Sequence, residues 1–174
     1  MIRQQVGDIL EIHFEGKWFY LVVLSKVVML GGTIVFAFHN DGARLHVDTL
    51  LAMKDGFNIC TDLLLPKKVG TVTRIAKVAD TAPFFRTRYS KGTNNVDPSG
   101  KADRWYIYRL DDLRQHIAVV RRLSREHRGA MDHCTYSFDL ACEKILSRYL
   151  PEQDPRISSS ADRLRARFRC RTTR

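Results

Sequence analysis

Val6-Gly7-Asp8-Ile9-Leu10-Glu11-Ile12-His13-Phe14-Glu15-Gly16-Lys17-Trp18-Phe19-Tyr20-Leu21-Val22-Val23-Leu24 is an apolar stretch broken once, at Glu15-Gly16-Lys17. On its near side Leu10, Ile12 and Phe14 alternate with Glu11 and His13, the period of two that a half-buried strand requires. On its far side Trp18 to Leu24 is continuously apolar. Two such runs joined by a glycine turn predict a β-hairpin. The run is also far shorter than the roughly 20 residues of a membrane helix.

Working outward, Val27–Leu30 and Thr33–Phe38 are expected to form a second strand pair, joined at Gly31-Gly32, a dipeptide suited to the positive φ of tight turns. Val47, Leu50 and Leu51 within 45–53 fit a short helix, with Asp48 near its start and Asp55-Gly56 closing it. Phe57–Leu65 and Val69–Val78 continue the strand series, separated by Pro66 and Lys67-Lys68. Ala82–Arg86 is expected to be extended. Residues 89–101 offer little to bury and are expected as a surface loop. Trp105–Tyr108 resumes as an aromatic strand. Leu113, Ile117, Val120 and Leu123 fall at helical spacing, with Arg114, Arg121, Arg122 and Arg125 facing away, so a helix is predicted there. A further helix starts at Ser137, with Phe138, Ala141, Cys142, Ile145, Leu146 and Tyr149 on one face and Pro151 ending it. The fold class is therefore α+β: a twisted, mostly antiparallel sheet or partial barrel with C-terminal helices packed against it.

The 174 residues, 44% hydrophobic and 28% charged, suffice for one ordinary core, and a globule of this size buries roughly 70% of its unfolded surface. The net charge of +10 is concentrated at one end, where residues 156–174 hold seven arginines against one aspartate. We therefore divide the chain into an α+β domain over 1–157 and an arginine-rich tail over 158–174, in which Arg163, Arg165, Arg167, Arg169 and Arg171 alternate with small or apolar residues. Without a signal-peptide core at its start, the expected compartment is the cytoplasm, with no membrane association. Cys60, Cys134, Cys142 and Cys170 form no CxxC pair, which points to buried or free thiols rather than a zinc site or disulfide framework. His127, His133, Cys134 and Cys142 are the residues a metal would have to use, but adjacent residues rarely face one ion.

Catalytic frames are missing: there is no GxSxG, HExxH, GxxxxGK[ST] or GxGxxG. His13, His39, His46 and His116 stand singly and are taken as surface or packing residues. Asp111-Asp112 is expected to oppose the dipole of the helix predicted after it. Trp18 and Trp105 are expected to fill the core. No enzyme and no cofactor is expected, and a binding function is the default.

Several short segments resemble one family. Val6-Gly7-Asp8-Ile9-Leu10-Glu11-Ile12 followed by Gly16-Lys17-Trp18-Phe19-Tyr20 is similar to the opening of the Imm26-type immunity proteins of bacterial polymorphic toxin systems. Arg74-Ile75-Ala76-Lys77-Val78 with Pro83-Phe84-Phe85-Arg86 resembles its second β region, and Trp105-Tyr106-Ile107-Tyr108 with Leu123–Arg128 its later segment. Pro151-Glu152-Gln153-Asp154-Pro155 looks like its closing pattern. The resemblance spans roughly 5–157; a tryptophan expected near Thr73 is missing, and the arginine tail has no counterpart.

The resemblance implies an α+β protein that binds a cognate toxin domain and blocks it sterically. Its positive charge argues against mimicry of nucleic acid. Tight association rests on buried aromatic and arginine anchors, and Tyr106, Tyr108, Arg109, Arg121, Arg122 and Arg125 bring those types together in sequence. The alternative is a nucleic-acid-associated protein in which the tail, through Arg163, Arg165, Arg167, Arg169 and Arg171, makes weak, non-specific phosphate contacts.

Overall fold

Phe14 pairs with Lys17, so the first turn consists of Glu15 and Gly16 alone, with φ of 50° and 75°. Two positive φ angles give the turn whose twist matches that of the strands it joins. It connects β1 (Asp8–Phe14) to β2 (Lys17–Val27). The computed structural model describes residues 4–27, 29–63 and 70–157. The arginine tail over 158–174 and the segment 64–69 lie outside them.

With β3 (Gly32–Phe38), β4 (Gly56–Thr61) and β5 (Gly70–Lys77), these strands build a five-stranded antiparallel sheet in the order β4-β3-β2-β1-β5. The second expected hairpin is corrected: among the described residues no separate strand occupies Val27–Leu30, because β2 itself runs on to Val27 through a register shift between Val23 and Ser25 and pairs with β3, with residues 29–31 in the turn. Gly32 begins β3 opposite Val27, and the loop before it carries Gly31 at φ 66°.

Gly7 shows why a glycine precedes the first strand. Its φ is 88°, and a Cβ there would stand 2.3 Å from the Val78 carbonyl oxygen. The next residue, Asp8, is fully buried; its carboxylate accepts from the Gln5 amide at 2.8 Å and faces Arg74 at 3.7 Å.

Alternation along the strands gives this sheet two apolar faces. Leu10, Ile12, Phe19, Leu21, Val35 and Phe57 point to one side, where α3 (Phe138–Leu146) lays Phe138, Ala141, Cys142 and Ile145 on them. Burial of Phe138 and Ile145 alone contributes on the order of 3–6 kcal/mol. Ile9, Tyr20, Val22, Ile34, Phe36 and Phe38 point to the other side, covered by Leu50 of α1 (Val47–Ala52), by Phe84 and by a second sheet.

That second sheet has the order β8-β7-β6-β9, from β6 (Tyr89–Gly92), β7 (Trp105–Arg109), β8 (Asp112–Val120) and β9 (Met131–Asp132), with β6 and β9 parallel. Both sheets are open and twisted, so the fold is α+β without a closed barrel. Trp105, Ile107, Ala102 and Leu123 form a smaller core on the outer face of the second sheet.

Four expectations fail in this half. The helix predicted over Leu113–Leu123 is the strand β8, followed by the four-residue helix α2 (Arg125–Arg128). Asp111 and Asp112 consequently oppose no helix dipole: Asp111 pairs with Arg109, and Asp112 accepts from the Arg114 amide at 3.1 Å. The surface loop expected over 89–101 begins with β6, whose Ser90 and Lys91 are fully buried. Ala82–Phe84, expected to be extended, is a single 3-10 turn. Trp105 is buried as expected, whereas Trp18 lies at the margin between the His13 ring at 4.4 Å and the Arg44 guanidinium at 4.6 Å.

Candidate functional site

The first buried polar group to test is Ser90 with His133. The Ser90 hydroxyl lies 3.0 Å from His133 Nδ1, and the imidazole stacks on Tyr108 with ring centroids 3.7 Å apart. Burial holds the His133 pKa below its usual value. A nucleophile must meet its substrate, and Ser90 is 0% exposed, so the pair joins β6 to the segment after β9 and offers no reacting atom.

Lys91 is equally buried. Its ammonium donates to the carbonyls of Arg128 at 2.7 Å, Ala130 at 3.0 Å and Pro151 at 2.7 Å. Burial depresses its pKa, and Asp132 and Asp154 partly offset that. Beside it, Asp132 accepts from the hydroxyls of Tyr136 at 2.6 Å and Tyr149 at 3.1 Å, and from Arg156 at 3.3 Å. Arg156 also forks onto Asp154 at 2.8 and 3.0 Å. Burial, reinforced by the Asp132 charge, pushes both tyrosine hydroxyls well above their usual range. These groups are mutually satisfied, so we assign them to holding the C-terminal segment. Cys60, Cys134 and Cys142 are free thiols, and among the described residues no cluster of three metal-ligating side chains occurs.

The open site lies elsewhere, in a groove of about 1430 Å³ between the end of β2 with the start of β3 and the second sheet. Four arginines from separate segments line it: Arg86 and Arg88 ahead of β6, Arg109 at the end of β7 and Arg125 at the start of α2. Arg109 is fixed by a two-pronged pair with Asp111, which raises its pKa and lowers that of the aspartate. Arg86 lies over the Phe36 ring at 5.0 Å and donates to the Lys54 carbonyl. Arg88 and Arg125 make no ion pair or side-chain hydrogen bond among the described residues. Asp111, Glu126 and Glu152 also line the groove, so its charge is mixed with a basic excess.

The six nominated binding residues do not converge. Arg109 and Arg125 share the groove. Tyr106 and Tyr108 are half-buried on one face of β7, each with its ring edge-on to His116, at 5.4 and 6.2 Å. Arg121 and Arg122 are exposed beyond Val120, at the end of β8 opposite Arg109, because Trp105 pairs with Val120 and Arg109 with Asp112. Those two pairs lie four residues apart on β7, so at about 3.4 Å per residue the separation is about 14 Å. Arg86, Arg88 and Ile117 are the groove residues that the sequence reading missed. Arg86 sat in a family-like segment, but only the fold sets it opposite Arg109.

Comparisons with protein-family models, curated proteins and solved structures gave no match in any of the three.

Proposed function

We propose that this chain is a non-enzymatic protein-binding protein, and in particular an immunity protein that neutralises a cognate toxin domain. The observation that carries the binding part is the groove holding Arg109 and Arg125 together with Arg86 and Arg88, the side chains of Arg88 and Arg125 making no ion pair or hydrogen bond among the described residues. The family-like segments support the toxin as the partner. Guanidinium groups free of internal pairs are ready to meet carboxylates, and arginine is the charged residue most favoured as an interface anchor. The same groove would serve a nucleic-acid backbone poorly, because Asp111, Glu126 and Glu152 repel continuous phosphate. Non-specific nucleic-acid binding by the tail arginines remains the second reading.

The test is co-expression with the toxin domain encoded in the adjoining gene. Suppressed killing together with a stoichiometric co-purifying complex is the expected result. Unchanged killing with no complex sinks the immunity reading.

A further inference from the structure

β8 is an unusual edge. No other strand pairs with its outer side among the described residues, and Arg114–Ile117 and Val119 are all exposed, Ile117 at 54% and Val119 at 45%. The other edges differ: β5 shows solvent mainly threonine, arginine and lysine, while the end of β4 is capped by the Thr61–Tyr136 bridge. Open edges are normally short, covered, charged or bulged, because their unpaired N–H and C=O groups template another strand; β8 bulges on both sides of Tyr108, and its regular stretch against β7 is Ala118–Val120. Ile117 also borders the arginine groove, and a second hollow of about 650 Å³ joins it to Arg109, Gln115 and His116 along the same strand.

We infer that β8 is a strand-addition site, taking an extended acidic-and-apolar segment of a partner protein as a fifth strand of the second sheet. This rests on the protein-binding reading and names the chemistry of the partner segment. Its main-chain groups pair with the β8 edge, its apolar side chains cover Ile117 and Val119, and its carboxylates meet Arg109 and Arg114 near one end and Arg121 and Arg122 at the other. Charge decides the occupant. From Asp112 to Arg125 the chain carries four arginines and one acidic residue, so a second copy would set like charges against like, whereas an acidic strand is attracted.

The experiment uses the full chain and a labelled ten-residue peptide of alternating glutamate and valine. Two controls accompany it: the same peptide with two consecutive N-methylated residues at its centre, which removes a donor from each edge, and a lysine-for-glutamate version. We expect the glutamate peptide to bind and to protect the amides of 114–120 from hydrogen exchange. N-methylation should weaken binding at least about tenfold, and the lysine peptide should not bind. The I117E/V119E variant, checked for an unchanged melting temperature, should lose binding to a similar degree. Equal binding of the N-methylated peptide overturns strand addition in favour of charge alone. No peptide binding, or a sedimenting dimer that the peptide does not dissociate, overturns it as well, the latter assigning the edge to a second copy. Peptide binding without protection from the toxin removes only the immunity reading; protection without peptide binding removes only this one.

Discussion

The Lys91 ammonium donates to the Pro151 carbonyl at 2.7 Å, joining residues sixty positions apart. Two further carbonyls, of Arg128 and Ala130, complete its surroundings. Replacing Lys91 by methionine keeps most of the volume but leaves three carbonyls without their donor. Each buried polar group left unsatisfied costs about 1–3 kcal/mol, partly offset by no longer burying a charge. Urea denaturation should therefore show a loss on the order of 2–4 kcal/mol, and an unchanged midpoint would refute this role.

Gly7→Ala should be costly out of proportion to one methyl group. The added carbon would stand 2.3 Å from the Val78 oxygen, at a φ of 88° that side chains rarely adopt. A loss of about 3 kcal/mol is expected, read as a lowered melting temperature. A neutral substitution would mean that β1 and β5 separate easily there.

Acid should weaken the fold through Asp154 and Asp55. Burial by itself would raise the Asp154 pKa, but the hydrogen bonds from Arg156 win and hold it low. The hydrogen bond from His39 lowers Asp55 despite some burial, and Arg148 adds to it. Depressed carboxylates contribute stability that is present above their unfolded value of about 3.9 and is lost as pH falls through the lower folded values. The buried His133, whose pKa is depressed, adds a gentler loss below the ordinary histidine value of about 6.5, so the melting temperature should decline slightly from pH 7 to 5 and steeply below pH 4. Asp154→Asn should melt lower at pH 7 and show a shallower acid decline; an identical decline would assign the effect to other groups.

Partner binding should divide the nominated arginines. Arg109→Glu and Arg125→Glu, both in the groove, should each weaken a toxin complex by roughly tenfold or more, while Arg122→Glu should do so only if the partner extends along β8. All three side chains are exposed, so unchanged melting curves are required before the affinities are compared. Equal, negligible effects would move the interface off this face.

Truncation after Ile157 should leave the melting temperature within a few degrees, because Ile157 packs on the Trp105 core and the Arg156 carbonyl accepts from the Ala102 amide at 2.9 Å. Removing Arg156 and Ile157 as well should lower it clearly. Residual nucleic-acid affinity should disappear with the tail and depend steeply on salt; affinity that survives truncation promotes the nucleic-acid reading.

The first sheet was legible because β1 to β4 alternate or run apolar between turn residues with strong preferences. The second was not. Leu113, Ile117, Val120 and Leu123 imitate helical spacing because the β7–β8 pairing shifts register on both sides of Tyr108. Leu113 thereby joins the core between the sheets, Val120 the outer core, and Ile117 neither. β6 was hidden by chemistry, since serine and lysine at its centre carry no apolar signal although both are fully buried. The groove was illegible for a topological reason: Arg86 and Arg109 meet only once β6 and β7 have paired. The family-like segments, by contrast, mostly do structural jobs. Gly7 and Asp8 seat β1 against β5, Asn58 grips both the Phe84 carbonyl and the Arg86 amide, and Asp154 fixes Arg156. The resemblance therefore speaks mainly for the scaffold, and Arg86 and Arg125 are the basic residues it shares with the groove.

The web around Lys91, Asp132 and Arg156 has a consequence for motion. It ties β6, β9, the turn after α2 and the stretch from Pro151 to Arg156 into a closed circuit, so none of them can detach without breaking the bonds of the others. Slow amide exchange in Ser90–Gly92 and in Met131–Asp132 should then keep a common clock with that at Ile157, and a C-terminal segment that frays independently would show the circuit to be open.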